Sequence, residues 1–168
     1  MVPVGIPGRA GSCLYTRGAD AAHPAANWNK PDLARARALV EQSGTKGEKV
    51  TLIVSNRAVD ISMGIYLQNT LRQIGYDASA RFITNAIQFN YIQNTNNKVQ
   101  ISLSDWYADY PAPSNFLGNL FGCGSFHPGS DSSINIAGVC DKNLQLTMDS
   151  AGKTSATDLA AGNALWSK

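Results

Sequence analysis

Hydrophobic positions recur with two different spacings over the first two thirds of the chain, and their alternation predicts the fold. Leu33, Ala36, Leu39 and Val40 share one face of a helical repeat. Pro31 suits the first helical position, where its missing N–H costs nothing, and Gly44 stops the helix. Val50-Thr51-Leu52-Ile53-Val54 is a short apolar run that fits a strand covered on both faces. Val59, Met63, Leu67, Leu71 and Ile74 return to helical spacing, with Gly75 as the C-terminal stop. From Tyr76 to Ile83 the residues alternate, with Tyr76, Ala78, Ala80 and Phe82 on one side, as in a strand. A shorter helix is expected from Ala86 to about Asn94, with Ile87 and Tyr91 inward, and then a strand at Val99, Ile101 and Leu103. The order α-β-α-β-α-β predicts an α/β fold, with a mostly parallel sheet and helices flanking it.

The remainder has a different character. Residues 105–133 read as a long, aromatic loop region. Two short helices then close the chain. One begins at Asp141, a good N-cap, with Leu144 and Met148 buried. The other begins near Ser155, with Asp158 three residues on as an acidic variant of the capping box. Residues 1–28, rich in Gly, Pro and Ala and without periodicity, read as an irregular arm.

Composition narrows the function classes. The 168 residues suit one ordinary domain. Charged residues make up 15%, against about 25% in an average protein, and net charge is +2. Nucleic-acid binding would need a clustered basic stripe, so none is expected. No run of about 18 apolar residues occurs. The start, Met1-Val2-Pro3-Val4-Gly5-Ile6-Pro7-Gly8-Arg9, lacks the features of a signal peptide. Few charges and many Asn, Ser, Thr and Gly nevertheless suit an exported protein. Both observations fit a mature piece whose export signal lies upstream.

Cys13, Cys123 and Cys140 have no CxxC spacing, and His23 and His127 complete no zinc pattern, so no metal or cofactor is expected. Cys123 and Cys140 flank the polar segment 124–139. They form either a disulfide that closes it or two buried free thiols. Cys13 is then the odd cysteine.

The stretch with the most chemistry runs from Ser104 to Leu117 and starts at the carboxyl end of a predicted strand, where open α/β sheets bind ligands. Trp106, Tyr107 and Tyr110 surround Asp109 in the sequence. A carboxylate among aromatic rings suits an ammonium ligand, which takes charge-assisted hydrogen bonds at its head and ring faces along its stem. The alternative is structural, with the aromatics in the core and Asp109 capping the Tyr-Pro turn.

Trp106-Tyr107-Ala108-Asp109-Tyr110-Pro111-Ala112-Pro113-Ser114-Asn115-Phe116-Leu117 resembles the W-x-A-D-Y-P-D-P-x-N-F-L segment of extracellular solute-binding proteins, family 5. It departs from that pattern at Ala112 and Ser114, where Asp is commoner. Asn29-Lys30-Pro31-Asp32-Leu33-Ala34-Arg35-Ala36-Arg37-Ala38-Leu39-Val40 is similar to the family's xPDLxKAKxLL helix. Val50 to Val54 is similar to the strand that follows it, and Leu67 to Tyr76 to an LQxxLxxIGI helix end. Leu120-Phe121-Gly122-Cys123 and Asn163-Ala164-Leu165-Trp166 fit as well.

The resemblance implies one lobe of a type II periplasmic binding protein-like fold. Residues 29–168 would be the C-terminal lobe, and residues 1–28 the arm leading from the other, missing N-terminal lobe. It implies the substrate-binding component of an ABC importer, with peptides held between lobes and permease subunits as partners. Asp109 matches the residue that pairs with a peptide's N-terminal ammonium, and Trp106, Tyr107 and Tyr110 would line the cleft. It also implies a Cys123–Cys140 disulfide, a location outside the cell membrane or in the periplasm, a lipid anchor or signal upstream, and no catalysis. The fold also admits a ligand-sensing domain of a transcriptional regulator, or a carrier of nickel or oligosaccharide. Glycoside hydrolysis by paired Asp105 and Asp109 is a third class, but a strand-to-loop segment leaves their separation unset and no second motif supports it.

Overall fold

The computed structural model describes residues 32–167. The expectations for the arm at 1–28, for Cys13, His23 and Pro31, and for the start of the first motif at Asn29 therefore lie outside the described residues. The described chain forms two compact units, one made of residues 32–105 and 128–133, the other of residues 106–127 and 134–167.

The first unit carries the sheet. Helix α1 (Leu33–Gln42) starts at Asp32, whose carboxylate accepts from the Arg35 N–H at 3.0 Å. The cap is thus Asp32, and the helix begins at Leu33. Strand β1 (Lys49–Ser55), helix α2 (Ala58–Ile74), strand β2 (Asp77–Ile83), helix α3 (Asn85–Gln93) and strand β3 (Ile101–Ser102) follow in the expected order. Both strand pairs are parallel and the sheet order is β2-β1-β3, with Leu52 opposite Ala80 and Ile101.

Central position explains the unbroken apolar run of β1. It packs with both α2 and α3, and Leu52, Ile53, Val54 and Ser55 are all buried. Leu52, Val54 and Ala78 form the core, with Leu67, Leu71, Ile101 and Leu103 packed against them. Gly75 ends α2 at φ 119°, a left-handed conformation natural to glycine, and its N–H bonds the Arg72 and Leu71 carbonyls.

Two helix faces differ from expectation. Val59 and Met63 are exposed; Asp60 and Gly64 occupy the inward positions on α2 instead. The absent side chain at Gly64 lets the helix approach the sheet, since a Cβ there would lie 3.0 Å from Val54 Cγ2. On α3 Ile87 is exposed and Gln88 is buried, because the Gln88 amide donates to the Leu103 carbonyl at 2.8 Å. Residues 128–133 belong to this unit: Asn94 Nδ2 donates to Asp131 Oδ1 at 2.7 Å, and Gly129 N–H to Thr95 Oγ1 at 2.8 Å.

The second unit is helical. Residues 105–133 are not one long loop, for Pro113–Phe121 forms helix α4 with Pro113 in its first turn. Helix α5 (Lys142–Ser155) begins after Asp141, whose carboxylate accepts from the Asn143 and Leu144 N–H groups; Met148 is buried, whereas Leu144 is exposed. Helix α6 (Leu159–Trp166) starts later than expected, because Asp158 is itself the N-cap and accepts from the Ala161 N–H at 2.9 Å. The chain has room for that turn because residue 162 is glycine: a Cβ there would sit 2.6 Å from Ser155 Cα.

Candidate functional site

The segment joining β3 to α4 holds the expected residues. Asp109, Tyr107 and Tyr110 are exposed, Tyr107 at 80% and Tyr110 at 48%, while Trp106 is half-buried. Exposed rings are not core, so a core role for the aromatics holds at most for Trp106.

What organises the segment is Asn115, only 1% exposed in the first turn of α4. Its Oδ1 accepts from the Trp106 indole Nε1–H at 3.0 Å and from the Asp109 backbone N–H at 3.2 Å. Its Nδ2 donates to Asp109 Oδ2 at 3.1 Å. One amide thus fixes an aromatic ring, a backbone position and a carboxylate oxygen. Asp109 Oδ1 meets no donor among the described residues. The Ser114 hydroxyl donates to the Tyr110 hydroxyl at 3.4 Å, and the Ala112 N–H to the Tyr110 carbonyl at 2.9 Å, which shapes the turn around Pro111. Asn115 escaped nomination from the sequence, although it stands in the motif. The usable signal was an amide a few residues beyond an Asx-containing turn, ahead of the apolar Phe116 and Leu117.

In the sheet unit a polar cluster gathers at the carboxyl ends of β1 and β3, which are neighbours. Ser55, the last residue of β1, donates its hydroxyl to Asp60 Oδ2 at 2.5 Å. Arg57 Nε donates to the same oxygen at 2.6 Å, and Arg57 Nη2 to Asp105 Oδ2 at 2.6 Å. The hydrogen bond from Arg57, seconded by that from Ser55, holds the Asp60 carboxyl below its ordinary value against the opposing effect of burial. Its two carboxylate partners push Arg57 further up. Asp105 is thus ion-paired with Arg57.

Cys123 and Cys140 place their sulfur atoms at bonding distance, with Cα atoms 4.6 Å apart. Among the described residues no three His, Cys, Asp or Glu side chains gather as a metal site, and no helix is long and apolar enough to cross a membrane.

A parallel sheet with flanking helices, shared with solved relatives, is a type II periplasmic binding protein-like fold. The chain belongs to the bacterial extracellular solute-binding proteins, family 5, whose middle-segment model matches residues 8–128. No curated protein matches it by sequence.

Three solved structures share the fold. The periplasmic binding protein DppA from Helicobacter pylori, in complex with the peptide STSA, is 22% identical with a TM-score of 0.68; the match covers 84% of this chain and 27% of that one. A dipeptide binding protein from Pseudoalteromonas sp. SM9913, in complex with Met-Leu, is 24% identical with a TM-score of 0.68, covering 86% and 29%. The Escherichia coli murein tripeptide binding protein MppA is 19% identical with a TM-score of 0.70, covering 98% and 29%. The chain thus spans less than a third of the length of these structures.

Proposed function

We propose that this chain supplies one lobe, residues 29–168, of a solute-binding protein that captures peptides, or a related amine-bearing solute, for an ABC importer. Residues 1–28 lead from the second lobe. The ligand sits between lobes, and capture is a population shift toward the closed state, driven by the ligand's higher affinity for that state; no bond is made or broken. The closed complex docks on the importer's permease subunits. Such a protein works at the outer face of the membrane or in the periplasm, with its signal or lipid anchor encoded upstream.

Asp109 carries this reading. One of its oxygens is held by Asn115, the other meets no donor among the described residues, and exposed Tyr107 and Tyr110 flank it in the sequence. An N-terminal ammonium can donate to the open oxygen, and the ring faces of the tyrosines, with the edge of Trp106, suit the first residue's stem. The peptides named with two of the solved relatives point to the same ligand class.

The test is calorimetry on the two-lobed protein. A peptide with a free N-terminus is expected to bind at least tenfold more tightly than its N-acetylated form. Asp109→Asn is expected to abolish that preference. Equal affinity of the parent for the two peptides would make Asp109 a structural residue.

A further inference from the structure

We propose that Asn115 is a positioning residue: it aims the Asp109 carboxylate and couples it to the Trp106 ring. The inference rests on the reading of Asp109 as the ammonium partner and goes beyond it in naming what sets the carboxylate's direction.

The backbone from Ser104 to Ala112 has no helix and no strand. No ladder of backbone bonds fixes Asp109, and the terminal torsion of an aspartate is broad. Left to itself, the carboxylate would sample many directions and lose part of its ligand bond to ordering. Asn115 removes that freedom at two points. Its Oδ1 holds the Asp109 N–H, and its Nδ2 holds Oδ2, which leaves Oδ1 of the aspartate without a donor among the described residues.

The residue type matters. An amide presents an acceptor and a donor from one rigid plane, and both lone pairs of its oxygen are filled here. Asparagine is thus the smallest side chain that satisfies a backbone N–H, an indole N–H and a carboxylate together. Burial keeps water from competing, and α4 provides the rigid support, with Asn119 Nδ2 donating to the Asn115 carbonyl at 3.0 Å. Because Trp106 and Asp109 share one oxygen atom, a ligand that pulls on the carboxylate also moves the indole.

The test compares Asn115→Ala, Asn115→Asp and Asp109→Asn with the parent, in the two-lobed protein, using trialanine and N-acetyl-trialanine as probes. In Asn115→Ala the affinity for trialanine is expected to fall roughly tenfold while that for the acetylated peptide stays within about twofold. An equal loss for both peptides, or no loss for either, would overturn the proposal.

Asn115→Asp is nearly isosteric and keeps the bonds to Trp106 and to the Asp109 N–H. Two carboxyls in that geometry share a proton at low pH, and the protonated one donates as the amide did. Preference for the free amine is therefore expected to be closest to the parent's at low pH and to fall as pH rises and the shared proton is lost. A preference that stays constant or rises with pH would overturn the proposal even if Asn115→Ala fails to fold. The indole N–H resonance of Trp106 is expected to shift with trialanine in the parent and not in Asn115→Ala. Failure of the underlying reading shows separately, as equal binding of the two peptides by the parent.

Discussion

Asp60 shows how much one buried side chain can organise and how little of that a hydrophobic pattern reveals. It takes an inward place on α2 where an apolar residue would be expected, and it is 7% exposed. Its burial is tolerable because Ser55 and Arg57 both donate to it. The sign of its pH effect follows from its lowered pKa. The ionised form is the one the fold favours, so its stabilisation is complete above the ordinary carboxylate value of about 4 and is lost as pH falls from there through the lower folded value. Asp60→Asn is expected to cost about 1–3 kcal/mol at pH 7. That gap should narrow as pH falls from about 4 toward the lower folded value, where the parent's Asp60 also becomes neutral. Urea unfolding of both proteins at pH 7 and pH 3 measures it, and a gap that does not change between the two would refute the assignment. The triad of Ser55, Arg57 and Asp60 was invisible in the sequence because nothing in residue spacing reports that β1 turns directly into the cap of α2.

At the scale of elements, the cysteine pair brackets the segment between the end of α4 and the start of α5. Cys123 follows α4, its N–H donates to Gln145 Oε1 at 2.8 Å, and Cys140 directly precedes the Asp141 cap. We propose that the two form a disulfide. Closing the intervening segment, with a sequence separation of 17, would contribute about 3 kcal/mol by restricting the unfolded chain. The double variant Cys123→Ser/Cys140→Ser is expected to lose that amount in denaturant unfolding, and a reducing agent should have the same effect on the parent and none on the variant. Two free thiols at these positions by mass spectrometry of the unreduced protein would sink the pairing. Element order and type were legible for the sheet unit because periods of two and 3.6 alternate cleanly there. Faces were less so. Gln88 displaced Ile87 from the interior because an amide that reaches a strand carbonyl is satisfied when buried, whereas periodicity ranks it as polar. Helix α4 was missed because Pro, Gly118 and two asparagines imitate a loop. The informative signs were Pro113 in the first turn and the helical spacing of Phe116, Leu117, Leu120 and Phe121.

At the scale of the whole molecule, the proposed function makes the Asp109 segment half of a grip. On that proposal it offers a carboxylate oxygen and ring faces on one side of a ligand. An exposed ammonium–carboxylate pair in water contributes little on its own, about 0–1 kcal/mol. Affinity of the kind an importer needs requires a second surface that excludes water and strengthens the pair. The fold relatives are about three times as long as this chain, so they contain the material for such a surface. The 168-residue chain by itself is expected to unfold cooperatively, since each unit has its own buried residues: Leu52, Val54 and Ala78 in one, Phe116, Met148 and Ala151 in the other. It is also expected to bind trialanine at least a hundredfold more weakly than the two-lobed protein, a loss of about 2.7 kcal/mol or more. Calorimetry on both forms decides it. Equal affinity would mean that the chain closes its own site, and the capture mechanism by two lobes would have to be abandoned.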